Sequence, residues 1–250
     1  MLTPWIESLK SLSLLEATGV LLALNVLQFM LSLGLAHGLI RLGGGPRLAP
    51  EGASRSAPGA GLLSLVVALN TATAVVGWLL WNQGWITVLT GEGPLRILRD
   101  VLVLMMAMDL VMYGLHRLAH HPWLYGWLHA RHHEAVDTRP IDLFFLSPLE
   151  VVAYGALWVF LLMAYDSTIE GILLYLSINL ASGTIGHLGT SLTSVGAARG
   201  PLRFVGTARF HAGHHITRAH NFGFYTSIWD HLAGTYRLQV APDETNEKGS

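Results

Sequence analysis

The amino-acid sequence predicts an all-α fold, a bundle of about four to five membrane helices that carries a histidine-rich helical cap on its cytoplasmic side. Hydrophobic residues make up 52% of the 250-residue chain and charged residues only 12%, and the mean hydropathy is +0.46. Because a soluble domain usually carries about 25% charged residues, this chain could not cover a water-facing surface. The cap is predicted from 13 histidines, nearly as many as the 15 lysines and arginines.

Five stretches that are poor in acidic and basic residues predict the membrane helices. The hydrocarbon core of a bilayer requires about 20 mostly apolar residues in a helix. The predicted helices cover residues 14–40, 62–90, 97–120, 148–165 and 169–190. The last two are short and are joined by a tight turn near Asp166, so they form either two full crossings or a hairpin that enters the membrane part-way.

Local signals define the ends of these helices. The N-terminus has no cationic region before its apolar run, so we expect the first helix to stay uncleaved as an anchor. Residues 43–61 form a linker rich in Gly, Pro, Ser and Ala. The run Ser147-Pro-Leu-Glu150 is typical of a helix start, with Ser147 as the cap and Glu150 reaching back to complete a capping box.

Arginine placement predicts the orientation in the membrane, because cytoplasmic loops carry an excess of basic residues. An outside N-terminus, five helices and a cytoplasmic C-terminus place most arginines, and every histidine cluster, on the cytoplasmic side of a bacterial inner membrane or of the ER. Arg96 and Arg99 run against this topology. The arginines that support it are Arg41, Arg47, Arg55, Arg117, Arg131, Arg139, Arg199, Arg203, Arg209 and Arg218.

Composition also excludes several classes of protein. The net charge of −1 leaves no basic surface for nucleic acid. The absence of cysteine excludes disulfides, thiolate zinc sites, Cys-ligated iron–sulfur centres and a cysteine nucleophile. The sequence contains no haem, flavin or dinucleotide-binding motif, so a redox enzyme of this sequence would need an external electron donor.

Twelve of the 13 histidines fall between residues 116 and 231, in groups with the spacing of metal ligands. Residues three and four apart share one face of a helix, so an HxxxH motif presents two imidazoles side by side and an HxxHH motif presents three. One HxxxH motif, two HxxHH motifs and the single His187 give nine candidate nitrogens, which exceed the needs of one four-coordinate site and suit two neighbouring metals. These histidines are His116, His120, His129, His132, His133, His187, His211, His214 and His215.

The remaining histidines have weaker claims to a ligand role. His37 has no partner, and His121 points about 100° away from His120 on an ideal helix. Imidazole suits iron, zinc, copper or nickel. Neither the ExxH motif of soluble diiron proteins nor the HExxH motif of zinc proteases occurs, and blue copper requires cysteine. Iron that activates dioxygen fits the ligands, and zinc could occupy them.

The motifs resemble those of the fatty acid hydroxylase/sterol desaturase superfamily. Residues 109–120, DLVMYGLHRLAH, are similar to its D-x-x-x-Y-x-x-H-R-x-x-H run, and the first HxxHH follows at the usual spacing. Ser147-Pro-Leu-Glu150 is similar to its His-Pro-Leu-Glu, with Ser in place of His. The second HxxHH, then Asn221-Phe-Gly223, then residues 229–235, WDHLAGT, resemble its C-terminal signature. The resemblance covers about residues 95–237.

This resemblance implies an integral membrane oxidoreductase with an iron pair that hydroxylates or desaturates lipids with dioxygen and external electrons. The motif histidines would be the ligands, and His187 is similar to the family's lone intervening histidine. Some members have a second histidine four residues later, where this chain has Ser191. The implied division is an N-terminal membrane region (1–94), a catalytic domain (95–237) and a polar tail (238–250).

Four further residues are candidates for hydrogen bonds that support the ligands. Asp109 lies seven residues before His116, on the same helix face, and could accept the far N–H of a ligating imidazole. A helix–helix hydrogen bond is the competing role for Asp109. Tyr113 and Asn179 are weaker versions of the same hypothesis, and we assign His220 to this supporting shell.

The sequence therefore predicts a membrane-bound diiron lipid oxygenase whose substrate is an acyl chain, a sterol or an isoprenoid. The electron donor would be a reductase with a ferredoxin or a cytochrome b5-like carrier. Two alternatives stay open. A membrane metal transporter or sensor would spread ligands along a path at mid-depth, and a zinc-dependent hydrolase would need a carboxylate base, for which Glu134 and Asp137 are the close candidates.

Overall fold

The computed structural model describes residues 3–55, 58–192 and 204–237. Arg199, Arg203 and the predicted polar tail 238–250 lie outside the described residues. Two short 3-10 helices cover His132–Glu134 and Pro140–Phe144. The α-helices are α1 (Thr3–Lys10), α2 (Leu14–Gly43), α3 (Ala60–Asn82), α4 (Pro94–Ala119), α5 (Pro122–Leu128), α6 (Pro148–Ala164), α7 (Ile169–Gly186), α8 (Ala208–Thr217) and α9 (Ile228–Ala233). The strands are β1 (Gly44–Arg47), β2 (Val88–Leu89), β3 (Ser167–Thr168) and β4 (Thr190–Leu192).

The predicted all-α bundle is confirmed, with α2, α3, α4, α6 and α7 at the five predicted positions. Among the described residues, three of these helices are long and apolar enough to cross a membrane: α2, α3 and α7. Helix α6 is apolar but shorter. Helix α4 is long enough, but its sequence includes Arg96, Arg99, Asp100 and Asp109.

Two helices end earlier than predicted. Helix α3 ends at Asn82 rather than near 90, because Gly84 takes a left-handed conformation with φ of 82° and turns the chain into β2. Helix α7 ends at Gly186 rather than 190, and Gly189 follows with φ of 67°. A side chain at Gly189 would collide with the carbonyl oxygen of Thr138, so only glycine fits there.

Two small sheets mark the two ends of the bundle. Strand β1, which follows α2, pairs antiparallel with β4, which follows α7. Strand β2, which follows α3, pairs in parallel with β3, which precedes α7. The five long helices therefore run alternately between two faces. His120 caps the end of α4 and His187 caps the end of α7, so we call the face that carries β1 and β4 the histidine face.

The two arginines that run against the predicted topology lie at the opposite face, around a buried carboxylate. Arg96 donates to Asp100 Oδ1 at 2.8 Å. Asp100 also accepts from the hydroxyl of Tyr165 at 2.7 Å and from the backbone N–H of Thr168 at 2.8 Å. Arg96 therefore forms an ion pair at this face, and both arginines still count against the predicted topology.

The Gly- and Pro-rich linker packs on the histidine face. Both Arg47 and Arg55 donate to the carboxylate of Asp137, and Ser54 donates to the carbonyl oxygen of Glu134 at 2.8 Å. Burial raises the pKa of Asp137, but the hydrogen bonds from Arg47 and Arg55 outweigh this effect and hold the pKa below its ordinary value. The linker thus ties the start of α3 to the segment that carries the first HxxHH motif.

Helices α3 and α6 pack closely at one glycine. A Cβ atom added at Gly155 of α6 would lie 2.7 Å from Oγ1 and 2.8 Å from Cγ2 of Thr73 on α3. Farther along the same interface, a Cβ at Gly77 would meet only Val159 Cγ2, at 4.0 Å. The two positions form a matched pair, one that a methyl group would overfill and one with room for it.

We predict that Gly155→Ala lowers stability by about 1–3 kcal/mol, because overpacking forces backbone or rotamer shifts. Gly77→Ala should be neutral or stabilising, since alanine favours a helix by about 1 kcal/mol over glycine. Thermal unfolding of both variants in the same detergent measures the difference. Equal midpoints for the two variants would contradict the close α3–α6 contact.

Candidate metal centre

The nine candidate histidines lie together at the histidine face and divide into two groups, within each of which the ligand atoms lie within 4.8 Å of one another. We call these the five-histidine group and the four-histidine group. The five-histidine group is His116, His120, His129, His133 and His214. The four-histidine group is His132, His187, His211 and His215.

Each HxxHH motif contributes to both groups. In the first motif, the outer pair at i and i+4, His129 and His133, belongs to the five-histidine group, and the middle residue His132 belongs to the other. In the second motif the outer pair, His211 and His215, belongs to the four-histidine group, and His214 to the five-histidine group. The motifs therefore link the two groups.

The first HxxHH motif is not the helical face that its spacing predicts. Helix α5 ends at Leu128, His129 is its C-cap, and His132 and His133 begin a 3-10 turn. The second motif does lie on an α-helix, α8, which Thr207 caps by accepting from the backbone N–H of Phe210. A tight 3-10 turn points adjacent side chains in different directions, which lets His132 and His133 enter different groups.

The distances between imidazole nitrogens match those between ligands of one metal. Nε2 atoms of His120, His133 and His214 lie 3.1–3.2 Å apart in all three pairs. Nε2 of His215 lies 3.1 Å from Nε2 of His132 and of His211. Metal–nitrogen bonds of about 2.1 Å separate neighbouring ligand atoms by about 3.0–3.4 Å.

In several imidazoles the hydrogen bond of the outer nitrogen, Nδ1, shows that the inner nitrogen, Nε2, which faces the other histidines, carries a lone pair. Nδ1 of His132 donates to the carbonyl oxygen of Phe145 at 3.3 Å, and Nδ1 of His187 donates to that of Gly183 at 2.9 Å. A neutral imidazole protonated at Nδ1 has an unprotonated Nε2. The Nε2 atoms of these two histidines lie 3.4 Å apart, so two lone pairs face each other and a cation between them would relieve the repulsion.

The same arrangement occurs in the five-histidine group. Nδ1 of His116 donates to the carbonyl oxygen of Phe222 at 2.8 Å, and Nδ1 of His214 donates to that of His220 at 2.7 Å. Protein groups that fix the tautomer in this way are typical partners of metal ligands. Each of the two groups can therefore hold a metal ion.

Burial keeps these imidazoles neutral, the form that binds metals. Burial lowers the pKa of His187 to about 4, although its hydrogen bond to Gly183 opposes the shift. Burial also lowers the pKa of His211, His214 and His215 well below the ordinary value, and neighbouring histidines add to the effect. Nitrogen atoms that stay unprotonated near neutral pH are available to a metal.

Glu150 has a different role from the capping box that its sequence context predicts. Ser147 does cap α6, accepting from the backbone N–H of Glu150 at 3.1 Å. The side chain of Glu150, however, turns to His129, whose Nδ1 lies 2.5 Å from Oε1. Glu150 is buried, and a carboxylate on the outer nitrogen of a ligating histidine orients the ring and increases its basicity.

Asp109 forms hydrogen bonds between two segments of the chain, rather than with a ligating imidazole. Its carboxylate accepts from the backbone N–H of Tyr225 at 2.9 Å, the hydroxyl of Thr226 at 2.5 Å and the indole N–H of Trp229 at 3.1 Å. Asp109 makes no hydrogen bond with a histidine in the described part of the chain. It holds the loop before α9, next to the Phe222 carbonyl that orients His116.

Tyr113, Asn179 and His220 also differ from the expected pattern of side chains bonded to ligands. The Tyr113 hydroxyl lies 3.1 Å from Oγ1 of Thr235, and Asn179 Oδ1 accepts from the Tyr225 hydroxyl at 2.6 Å. His220 supports His214 through its backbone carbonyl rather than its ring.

Asp230 is a supporting residue that the sequence argument did not single out. Its carboxylate accepts from the backbone N–H groups of Phe222 and Gly223 at 2.8 and 2.7 Å and from the hydroxyl of Thr235 at 2.7 Å. A Cβ at Gly223 would lie 2.1 Å from the carbonyl oxygen of Thr226 and 2.8 Å from Asp230. The Asn-Phe-Gly run thus requires glycine so that the loop can close on this aspartate. In the sequence, the WDHLAGT signature that contains Asp230 was the feature that could have pointed to this role.

The other histidines lie outside both groups. His37 is exposed on α2, and His231 is exposed and stacks on Tyr236 with ring centroids 3.9 Å apart. His121 caps the start of α5. Ser191 lies in β4, and the four-histidine group contains no residue from that strand.

A cavity of about 430 Å³ extends from the histidines into the bundle, within the size range of small-molecule sites. Helices α2, α3, α4, α6 and α7 contribute its walls, and most lining side chains are apolar. Its histidine end includes members of both groups: His116, His129, His132, His187 and His211. The cavity therefore connects the membrane-embedded interior to the candidate metal centre.

The chain matches the family model described as fatty acid hydroxylase over residues 101–235, which is more than half its length. The chain belongs to the fatty acid hydroxylase family. The resemblance derived from the histidine motifs is thereby confirmed. No solved structure gives a significant match to the chain.

Curated relatives of this fatty acid hydroxylase family member act on several lipids. It is 28% identical to a Delta(7)-sterol 5(6)-desaturase of Leptosphaeria maculans, with 56% of this chain and 40% of the relative aligned. It is 27% identical to methylsterol monooxygenase 1 of Gallus gallus, with 54% of this chain and 45% of the relative aligned. It is also 27% identical to very-long-chain aldehyde decarbonylase GL1-6 of Oryza sativa subsp. indica, with 56% of this chain and 23% of the relative aligned. The chain spans less than half the length of these relatives.

We predict that Glu150→Ala weakens metal binding about 10–100-fold, the usual cost of losing a partner of a metal ligand. Glu150→Gln keeps an acceptor for His129 and should retain much of the affinity. Glu134→Ala, which removes an exposed carboxylate next to His133, is the control. Metal content is measured after dialysis against graded chelator, and wild-type retention in Glu150→Ala would rule out the positioning role.

Proposed function

We propose that this protein is a membrane-bound diiron oxygenase that hydroxylates or desaturates a lipid held in the cavity. The observation that carries the proposal is the end of the cavity, where histidines of both groups meet an apolar space inside the bundle. A hydrophobic chain in that space would present one carbon to the metal centre. Such alignment is a large part of what a protein contributes to cofactor chemistry.

The relatives support the reaction class. Two are named as a sterol desaturase and a methylsterol monooxygenase, which are oxidoreductases that act on lipids. We therefore assign this chain to lipid oxidation with dioxygen as co-substrate. An acyl chain, a sterol and an isoprenoid all suit an apolar cavity.

We assign the nine histidines of the two groups as ligands of two iron ions, which zinc could replace. When bound, the irons would supply dioxygen activation and removal of a hydrogen from the lipid. The chain's own contribution is positional. Backbone carbonyls fix the imidazole tautomers, Glu150 holds His129, and the apolar wall keeps water from the reacting carbon.

Electrons would come from a separate reductase with a ferredoxin or a cytochrome b5-like carrier. The proposal follows from the composition of the metal centre, in which every candidate ligand is a histidine, and from the sequence, which carries no motif for an electron-carrying cofactor.

The two alternative functions have less support. A transporter would distribute ligands along the membrane path, whereas all nine histidines lie at one end of the bundle. Of the two carboxylates expected to act as the base of a zinc hydrolase, Glu134 is exposed and Asp137 is bound by Arg47 and Arg55. The buried Glu150 is occupied by its contact with His129.

The functional proposal predicts oxygen-dependent product formation. Iron-loaded protein in lipid nanodiscs, supplied with host lipid extract, NADPH, a reductase and its carrier, should consume dioxygen and yield hydroxylated or desaturated lipid by mass spectrometry. Alanine at any of the nine histidines should lower product formation more than about 100-fold, beyond the range for supporting residues. Alanine at His37, His121 or His231 should leave it unchanged, and product without dioxygen or carrier would contradict the proposal.

We further propose that the histidine face is cytoplasmic, because most of the described arginines lie there. The absence of cysteine allows single labels at exposed positions on the two faces. Arg131→Cys lies on the histidine face, and Gln83→Cys lies at the opposite end of α3. In spheroplasts, a membrane-impermeant maleimide should label only the Gln83→Cys variant, and the reverse pattern would overturn the topology.

A further inference from the structure

Polar side chains with at least one atom that lacks a hydrogen-bond partner line the cavity between membrane-spanning helices. Asn70 and Thr73 on α3 and Tyr154 on α6 make no side-chain hydrogen bond with any described residue. Asn25 on α2 uses its Nδ2 to bond the carbonyl oxygen of Leu21, which leaves its Oδ1 available. Asn179 on α7 uses its Oδ1 to accept from Tyr225, which leaves its Nδ2 available.

Several other polar residues of these helices bond within their own helix. The hydroxyls of Thr71, Ser177 and Thr184 donate to the carbonyl oxygen four residues earlier, at 2.7–2.8 Å, and Asn82 Nδ2 does the same to Trp78 at 3.1 Å. Unpaired polar groups are costly within a bilayer. Ser64 and Ser182 also make no side-chain hydrogen bond with a described residue and lie outside the cavity. Asn25, Asn70, Thr73 and Asn179, however, come from three helices and converge on one cavity wall, which indicates a ligand that pairs with them.

Thr73 and Asn179 lie roughly 10 Å from the histidines along the bundle. Asn179 precedes His187 by eight residues, about 12 Å at 1.5 Å per helical residue. Thr73 packs against Gly155, which follows Glu150 by five residues, about 8 Å on the same scale. A ligand atom bound there would be separated from the metal centre by the apolar part of the cavity.

The available atoms suit a neutral oxygen. Asn70 and Asn179 offer N–H donors, while Asn25 and Asn70 offer carbonyl acceptors, and a hydroxyl group can both donate and accept. Among the described residues, no lysine or arginine lines the cavity, and Glu150 is its one acidic residue. An anionic carboxylate or phosphate would be buried there without a cation, at a high cost in free energy.

We propose that Asn25, Asn70, Thr73 and Asn179 form a binding site for a neutral oxygen-bearing group, a hydroxyl or carbonyl, of the lipid that enters the cavity. This site would hold the oxygen-bearing group of the lipid about 10 Å from the lipid carbon that meets His132, His187 and His211. The ligand's identity as a substrate rests on the proposed function. The selectivity for a neutral oxygen rests on the cavity alone.

The test compares three 16-carbon ligands that differ in their end group. Binding of tritiated 1-hexadecanol to the purified protein is measured by scintillation proximity and competed with hexadecane and with hexadecanoate at a pH where it is ionised. The alcohol should bind at least about 10-fold more tightly than the alkane or the acid, the effect of a hydrogen bond to a buried group. Equal binding of alcohol and alkane would overturn the proposal.

Variants locate the selectivity within the cavity. Asn70→Leu and Thr73→Val, the latter nearly identical in shape, should each reduce the preference for alcohol several-fold without weakening alkane binding. Asn82→Leu makes the same kind of change as Asn70→Leu outside the cavity and should keep the preference. A preference that survives in Asn70→Leu, in Thr73→Val and in the double variant would place the alcohol elsewhere and overturn the site.

The binding test separates the two proposals because it requires no turnover. If alcohol selectivity holds but no oxidised lipid forms, the polar site stands and the oxygenase proposal fails. If oxidised lipid forms but alkane and alcohol bind equally, the oxygenase stands and the polar site is wrong.

Discussion

Nine buried or half-buried imidazoles converge at one end of a membrane helix bundle, and the rest of the structure is arranged around them. Where the outer nitrogens donate to backbone carbonyls, the inner nitrogens face one another with lone pairs. Neutral nitrogen atoms at such distances repel unless a cation lies between them. The donor set itself therefore favours a bound cation, and the histidine spacings, the capped helix ends and the docked linker hold the imidazoles in this arrangement.

Two carboxylates of the hydroxylase-like region stabilise this arrangement indirectly. Asp109 and Asp230 both bind the loop at residues 222–229, whose Phe222 carbonyl orients His116. A loop exposed to solvent could shift without much cost, but one held by two buried carboxylates is fixed. The candidate metal ligands therefore depend on residues that never touch them, and we expect loss of either aspartate to disturb the site through the backbone.

Much of this architecture could be predicted from the sequence because it depends on local patterns. Apolar runs locate the long helices, and HxxxH and HxxHH spacings identify eight of the nine clustered histidines, while the ninth, His187, is supported by the family resemblance. The division into groups could not be predicted, since His132 and His133 are neighbours in sequence and separate only because a 3-10 turn replaces the expected helix. The roles of Asp109 and Glu150 also depend on tertiary contacts, because Glu150 meets a histidine 21 residues away.

We propose that the two histidine groups each hold one metal ion. This proposal is tested most directly by counting transition metals per chain, by elemental analysis against amino-acid quantification, in protein purified gently from iron-supplemented cells. The account predicts about two ions per chain, with iron and zinc counted together because imidazole accepts both. A ratio of one or none in protein that retains activity would contradict it.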